Sequence, residues 1–165
     1  GGTYVIRFQD TGFWLGKYAA RKGYHKPTGD IALNYCNNVR IFRYAETLLA
    51  YAELVGVEGV AEQKGISAQQ CLDMVRDRAF GDTNHRVAVN KQNIINENHY
   101  EFVGEGHRYY DVVRWGITEV LNVGNVPGIN SARTWKSHNK YVAIPQGDID
   151  ATKGTEFELK QNEGY

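Results

Sequence analysis

Apolar positions fall into a helical period over the middle of the chain. Ile41, Tyr44, Ala45, Leu48, Leu49, Ala52 and Val55 recur at i, i+3, i+4 and i+7 steps, which predicts an amphipathic helix over 38–55, stopped by Gly56 and Gly59. Ser67 followed by Gln70 is a capping box, and it opens a second predicted helix over 67–80 with Cys71, Leu72, Val75 and Ala79 as its buried face and Gly81 as its stop. A third helix is predicted over 90–103 and a fourth over 107–116. In this pair the polar positions are the more telling ones. Glu97, Glu101 and Glu105 stand at successive i,i+4 steps and form one acidic stripe, covered by Ile94, Ile95, Phe102 and Val103. Gly104 and Gly106 then break the helix, and Arg108, Asp111 and Arg114 recur at i,i+3 until Gly116. Two helices meeting at a glycine corner, with the Glu stripe facing the arginines, are expected.

The flanks lack this period. Residues 3–8 are β-branched and aromatic enough for a short strand, turned by Asp10-Thr11-Gly12, whereas 13–35 mix rings with glycine and proline and read as loop. Beyond Ile117 the chain is irregular, with a short strand expected over 141–144 and stopped by Pro145. The predicted fold is therefore mainly α with long loops and a few short strands; the helices over 38–55 and 67–80 make an antiparallel hairpin of repeat-like size, and one hairpin does not establish a repeat-type domain. The parts of the chain are a loop and strand region over 1–37, a helical core over 38–116 and a loop-rich tail over 117–165.

The chain has 165 residues, within the range of one domain, and equal numbers of acidic and basic side chains, so no nucleic-acid or membrane-surface field is implied. Cys36 and Cys71 lack CxxC spacing and a matching His cluster, which argues against a disulfide framework or zinc site. No apolar run reaches membrane-spanning length, and the start at Gly-Gly rather than Met suggests a fragment. The one compositional excess is aromatic, with 11 Tyr, 6 Phe and 3 Trp.

Two kinds of chemistry are open to these residues. Paired carboxylates do general acid/base work in glycoside hydrolysis, so two of Glu97, Glu101, Glu105 and Asp111 are candidate catalysts. The alternative is structural: the four acids pair with Arg108, Arg114 and Arg43 as an ion-pair clamp, with interhelical or solvated pairs also the default for Arg76 and Arg78. Arginine beside a carboxylate lowers its pKa and removes the proton that an acid catalyst needs, which favours the clamp. His99 and His107 fit no tight metal-ligand spacing, so no metal or other cofactor is expected, and His107 is expected to bond backbone at the glycine corner. The rings in loops are the better ligand candidates. Trp14, Tyr18, Tyr24 and Trp135 lie among Arg21, Lys22, His25, Asn34 and His138, the combination of flat ring and polar flank that carbohydrate recognition uses.

Four segments then resemble a known family in the right order. Arg43 to Glu53 is similar to an RxAExxLxxAE helix, Val75 to Ala79 to VRxRA, Glu97 to Gly116 to ExxxExxxEGHRxxDxxRWG, and Tyr141 to Gln146 with Gln161 to Tyr165 to YxxIPQ and QNPGY pieces. These belong to the SusD/RagB group of outer-membrane nutrient-binding lipoproteins of Bacteroidetes, and the chain resembles its C-terminal portion. Asn98 and His99 stand where the family usually has basic residues, Gly104 where it has a larger one and Glu163 where it has Pro. The resemblance implies non-catalytic capture of a glycan at the cell surface and its delivery to a SusC-like TonB-dependent transporter, with a lipid anchor upstream of this chain. A glycoside hydrolase and a helical-repeat adaptor for peptides are the alternatives.

Overall fold

The computed structural model describes all residues except 1–4, 6, 8, 9, 20, 22, 27, 31–33, 64 and 129. Most of the strand expected over 3–8 lies outside the described residues. The chain divides into two compact units, Trp14–Arg108 and the pair of segments Gly1–Phe13 with Tyr109–Tyr165.

The first unit is helical. Helix α1 (Tyr44–Gly56) packs on α2 (Ala68–Phe80) and α3 (Lys91–Glu101), and Leu49, Leu72, Val75, Ile94 and Cys71 are sealed between them. Full burial of each such aliphatic side chain contributes roughly 1.5–3 kcal/mol, which makes this layer the main source of the unit's stability. Where the sequence carries local caps, the boundaries follow them. Ser67 Oγ accepts from the Gln70 N–H at 3.1 Å, Gln70 Oε1 accepts from the Ser67 N–H at 2.8 Å, and Gly81 closes α2 with φ +78°. Asn90 Oδ1 accepts from the Asn93 N–H at 2.9 Å and opens α3.

Elsewhere the boundaries differ from expectation. α1 begins at Tyr44 rather than 38, because Arg43 is extended (φ −134°, ψ 153°) with its guanidinium drawn to Glu101 at the end of α3 and Glu105 just beyond it. Ile41, the first position of the predicted period, is consequently 88% exposed. Ala79 is exposed rather than buried, because the last turn of α2 is a surface turn in which Phe80 lies between Arg76 (5.2 Å) and His85 (4.1 Å). At the other end of α1, a Cβ on Gly56 would overlap Val89 and lie 3.0 Å from Ala68 Cβ, so glycine permits the helix end to close on the link before α3. Tyr51 pins the intervening loop by donating its hydroxyl to the Ile66 carbonyl at 2.9 Å and accepting from the Gln63 N–H at 2.7 Å.

Helix α4 (Arg108–Trp115) opens the C-terminal segment, which continues through single 3-10 turns to α5 (Gln146–Thr152). Among the described residues this unit has isolated bridges and no strand. Val123 pairs with Arg133 and Val126 with Asn130, making a narrow hairpin around Pro127 and Gly128. The strand expected over 141–144 is also absent. Tyr141 is extended (φ −109°, ψ 158°), but side chains of the C-terminal tail satisfy the segment's backbone in place of a partner strand. Gln161 accepts from the Ile144 N–H and donates to the Ile144 carbonyl, both at 2.9 Å, Asn162 donates to the Val142 carbonyl at 2.7 Å, and the Tyr165 hydroxyl donates to the Tyr141 carbonyl at 2.9 Å. No helix among the described residues is long and apolar enough to cross a membrane.

Candidate functional site

The acidic stripe is buried and saturated with cations. Arg43 donates from Nε to Glu105 Oε2 and from Nη1 to Glu101 Oε1, each at 2.7 Å, and from Nη2 to Glu105 Oε1 at 2.9 Å. Lys17 Nζ reaches Glu105 Oε1 at 2.5 Å and the Glu101 carbonyl, while Arg78 Nη2 takes Glu101 Oε2 at 2.6 Å and Arg76 takes Glu97. The partners are thus cations of α1, α2 and the 3-10 turn Gly16–Tyr18, in place of the expected Arg108. Asp111 pairs with Arg114 on its own helix at 2.9 Å, and Arg108 Nη1 is buried without a hydrogen-bond partner among the described residues. Burial alone raises the Glu105 carboxyl, but hydrogen bonds and charge from Arg43 and Lys17 outweigh it and hold the group below the usual carboxylate range. The same carboxylates raise the Arg43 guanidinium against the opposing effect of its own burial. Held in this way, Glu105 ties the loop and Arg43 to the end of α3 and is poorly suited to donate a proton.

Leu15 adds an apolar contact between the same loop and the same corner. Gly104 has φ +76°, and a Cβ there would overlap the Leu15 methyls, so the positive φ and the close approach both require glycine. His107 does not bond backbone at this corner. It stacks on Phe102 at 4.7 Å with Nδ1 3.9 Å from Glu46. Among the described residues no group of three His, Cys, Asp or Glu could hold a metal ion.

The loop aromatics divide between the units. Trp14 is 73% exposed and Tyr24 59%, while Tyr18 is half-buried with the Arg40 guanidinium 5.3 Å from its ring centre. Trp135 lies in the other unit, on the wall of an open cavity of about 830 Å³ with Tyr109, Arg133, Asn139, Tyr141 and Tyr165, and with Val120, Val123 and Val142 as its apolar part. The hairpin over 123–133 delivers Arg133, and Asn122 Oδ1 accepts from the Trp135 backbone N–H at 2.7 Å and holds the backbone that carries the indole. The phenol groups of Tyr109 and Tyr165 donate to the carbonyls of Asn139 and Tyr141, so these rings are held by their polar ends. His138 meets Tyr165 edge-on at 4.9 Å, and a Cβ on Gly164 (φ +95°) would come within 2.6 Å of His138 Cβ, which explains the glycine before the terminal ring. Tyr109, Tyr141 and Tyr165 were not among the candidate binding residues. Their signal is their place in the motif segments, beside residues that pin backbone.

The described residues thus form a mainly α chain, with buried arginine–glutamate pairs in one unit and an open cavity walled by rings in the other. Residues 5–165 match the SusD family, and the chain belongs to it. It is 33% identical over 91 residues to a SusD-like protein P25 of Formosa agariphila, covering 51% of this chain and 16% of that protein. The surface glycan-binding protein A of Bacteroides fluxus superposes on 100% of the chain with a TM-score of 0.86 and 55% identity. That of Bacteroides thetaiotaomicron, solved in complex with laminarihexaose, superposes on 97% with a TM-score of 0.80 and 42% identity. The chain spans 35% and 32% of the length of these two proteins.

Proposed function

We propose that this chain is the C-terminal portion of a non-catalytic surface protein that binds a glycan and passes it to a SusC-like TonB-dependent transporter, with the protein held at the outer membrane by a lipid anchor upstream. The single observation that carries the reading is the likeness over the whole chain, at 55% identity, to a surface glycan-binding protein. The geometry supports it from two sides. The carboxylates that a glycosidase would use are paired with arginine and lysine, and the Trp135 cavity combines ring faces with Arg133 and Asn139 at a volume suited to an oligosaccharide segment.

Trp135 is the residue we assign to sugar stacking in the cavity, with Tyr109, Tyr141 and Tyr165 around it. Trp14 and Tyr24 remain candidates on the helical unit, while Tyr18, already under Arg40, is the weaker one. Titration with laminarihexaose, followed by Trp fluorescence and calorimetry, tests the reading. Saturable binding is expected, weakened on the order of tenfold in Trp135→Ala, the equivalent of about 1.4 kcal/mol for one lost stacking ring. Absence of binding to laminarihexaose and to a panel of other glucans refutes it. Release of reducing ends that is abolished by Glu101→Gln in a folded protein replaces it with the hydrolase, and saturable response to peptides alone replaces it with the adaptor.

A further inference from the structure

The helical unit carries a second depression, of about 430 Å³, walled by Lys17, Arg21, Tyr24, Asn37, Asn38 and Arg40. No carboxylate is among the residues that line it. Lys17 is paired with Glu105, whereas among the described residues no ion pair joins Arg21 or Arg40 to an acid. Arg40 Nη1 donates to the Lys17 carbonyl at 2.9 Å and its guanidinium lies 5.3 Å from the Tyr18 ring centre, so the fork is held in place with donors to spare. Arg21 is exposed, and neither arginine has a carboxylate partner among the described residues. The wall itself is braced. Cys36 donates its N–H to the Tyr24 carbonyl at 3.2 Å, His25 bridges to Tyr35, and Asn37 Nδ2 donates to the Ala19 carbonyl at 3.2 Å. Tyr24 is thereby held on the rim with its ring in solvent.

Two guanidinium groups without a carboxylate partner among the described residues, on a chain of zero net charge, form a local positive field, and a planar fork matches a carboxylate or sulfate. We propose that this depression is a subsite for an anionic sugar, whose ring lies against Tyr24 while its carboxylate or sulfate is held by Arg21 and Arg40. The proposal rests on the glycan-binding reading and extends it to the charge of the ligand. The walls of the Trp135 cavity are mainly rings and valines, with Arg133 and Asn139 among them, and take neutral ring faces; the walls of this depression are mainly polar and take the charge.

The test compares one oligosaccharide in three forms: neutral with a terminal glucose, the same chain ending in glucuronate, and the same chain 6-sulfated. Calorimetry at low and high salt is expected to show one or both charged forms bound about tenfold tighter than the neutral one, with the advantage shrinking as salt rises. The form that gains identifies the anion as carboxylate or sulfate. Arg21→Ala removes an exposed side chain and should reduce the preference about fivefold or more without touching laminarihexaose binding, and Arg40→Gln should reduce it further. Equal affinity for the three forms, or a preference unchanged in Arg21→Ala/Arg40→Gln, overturns the subsite while neutral binding lost in Trp135→Ala leaves the glycan reading standing. If none of the oligosaccharides binds, both fall together.

Discussion

Replacing Arg43 by Met removes the guanidinium and keeps most of the aliphatic stem. Glu105 then loses two hydrogen bonds and Glu101 one, together with the 3.1 Å bond to the Glu101 carbonyl. The acids are 2% and 8% exposed, so water does not replace the lost partner, and removal of one member of a buried pair costs about 3–5 kcal/mol. Lys17 and Arg78 remain beside Glu105 and Glu101, however, which reduces the expected loss to about 2–4 kcal/mol. Urea unfolding of both proteins reads this directly, with Arg78→Ala as the control. The Arg78 side chain is 61% exposed, so that change should cost about 1 kcal/mol or less. The pH dependence gives a second reading. Glu105 is depressed below its usual value of 4.5, so the stability it contributes is fully present above that pH and is lost as the pH falls through the depressed value. The gap between wild type and Arg43→Met should therefore narrow in acid, as the pH falls through the depressed value and the paired carboxylate is lost. A gap under about 0.5 kcal/mol at neutral pH, or one that does not narrow at any acid pH where both proteins still fold, would refute the assignment of Arg43 as the centre of the cluster.

Gly56→Ala places a methyl group against Val89 and should cost about 1–3 kcal/mol in urea unfolding, with partial recovery when Val89→Ala is combined with it. Ser67→Ala removes one half of the capping box and should cost about 1 kcal/mol, whereas Ser67→Asn should cost little by the same measurement. Gln161→Ala leaves the N–H and carbonyl of half-buried Ile144 without their partners; a loss of about 1–3 kcal/mol is expected, together with faster amide exchange at Ile144.

Features written in neighbouring residues were legible before folding was considered. Ser67 with Gln70, Asn90 and Gly81 set helix ends because their partners lie within one turn, and the Leu48, Leu49 and Ala52 spacing marks the buried face of α1. What periodicity does not contain is the identity of the opposing surface. The i,i+4 spacing puts Glu97, Glu101 and Glu105 on one side, but only the packing of α1 and α2 decides that Arg43, Arg76 and Arg78 meet them. The same long-range choice moves the start of α1, since Arg43 is drawn into extended backbone by acids far along the chain. The strand expected over 141–144 does not form, because the partner of this backbone is a set of side chains some twenty residues on, a pairing for which no pattern of alternation exists. The cavity shows both cases at once: Trp135 stands out as a ring in a loop, while Tyr141 and Tyr165 enter the wall only when the tail folds back.

The charged stretch around 94–116 and the terminal QNEGY segment then take on parallel roles. In the first, Glu105 and the Glu101 carbonyl hold Lys17 while bare Gly104 receives Leu15, so the corner fixes the loop that presents Trp14 and leads into the Arg21 and Tyr24 depression. In the second, Gln161, Asn162 and Tyr165 grip the backbone of 141–144, and bare Gly164 lets the tail pass over His138, so the wall of the Trp135 cavity is fixed. In both, a polar side chain makes the bond and a glycine makes the room. Neither arrangement needs to touch ligand. Loops held in this way can change their exposed side chains while the residues that hold them stay the same, because the positioning groups bond to backbone and to one another rather than to the exposed surface.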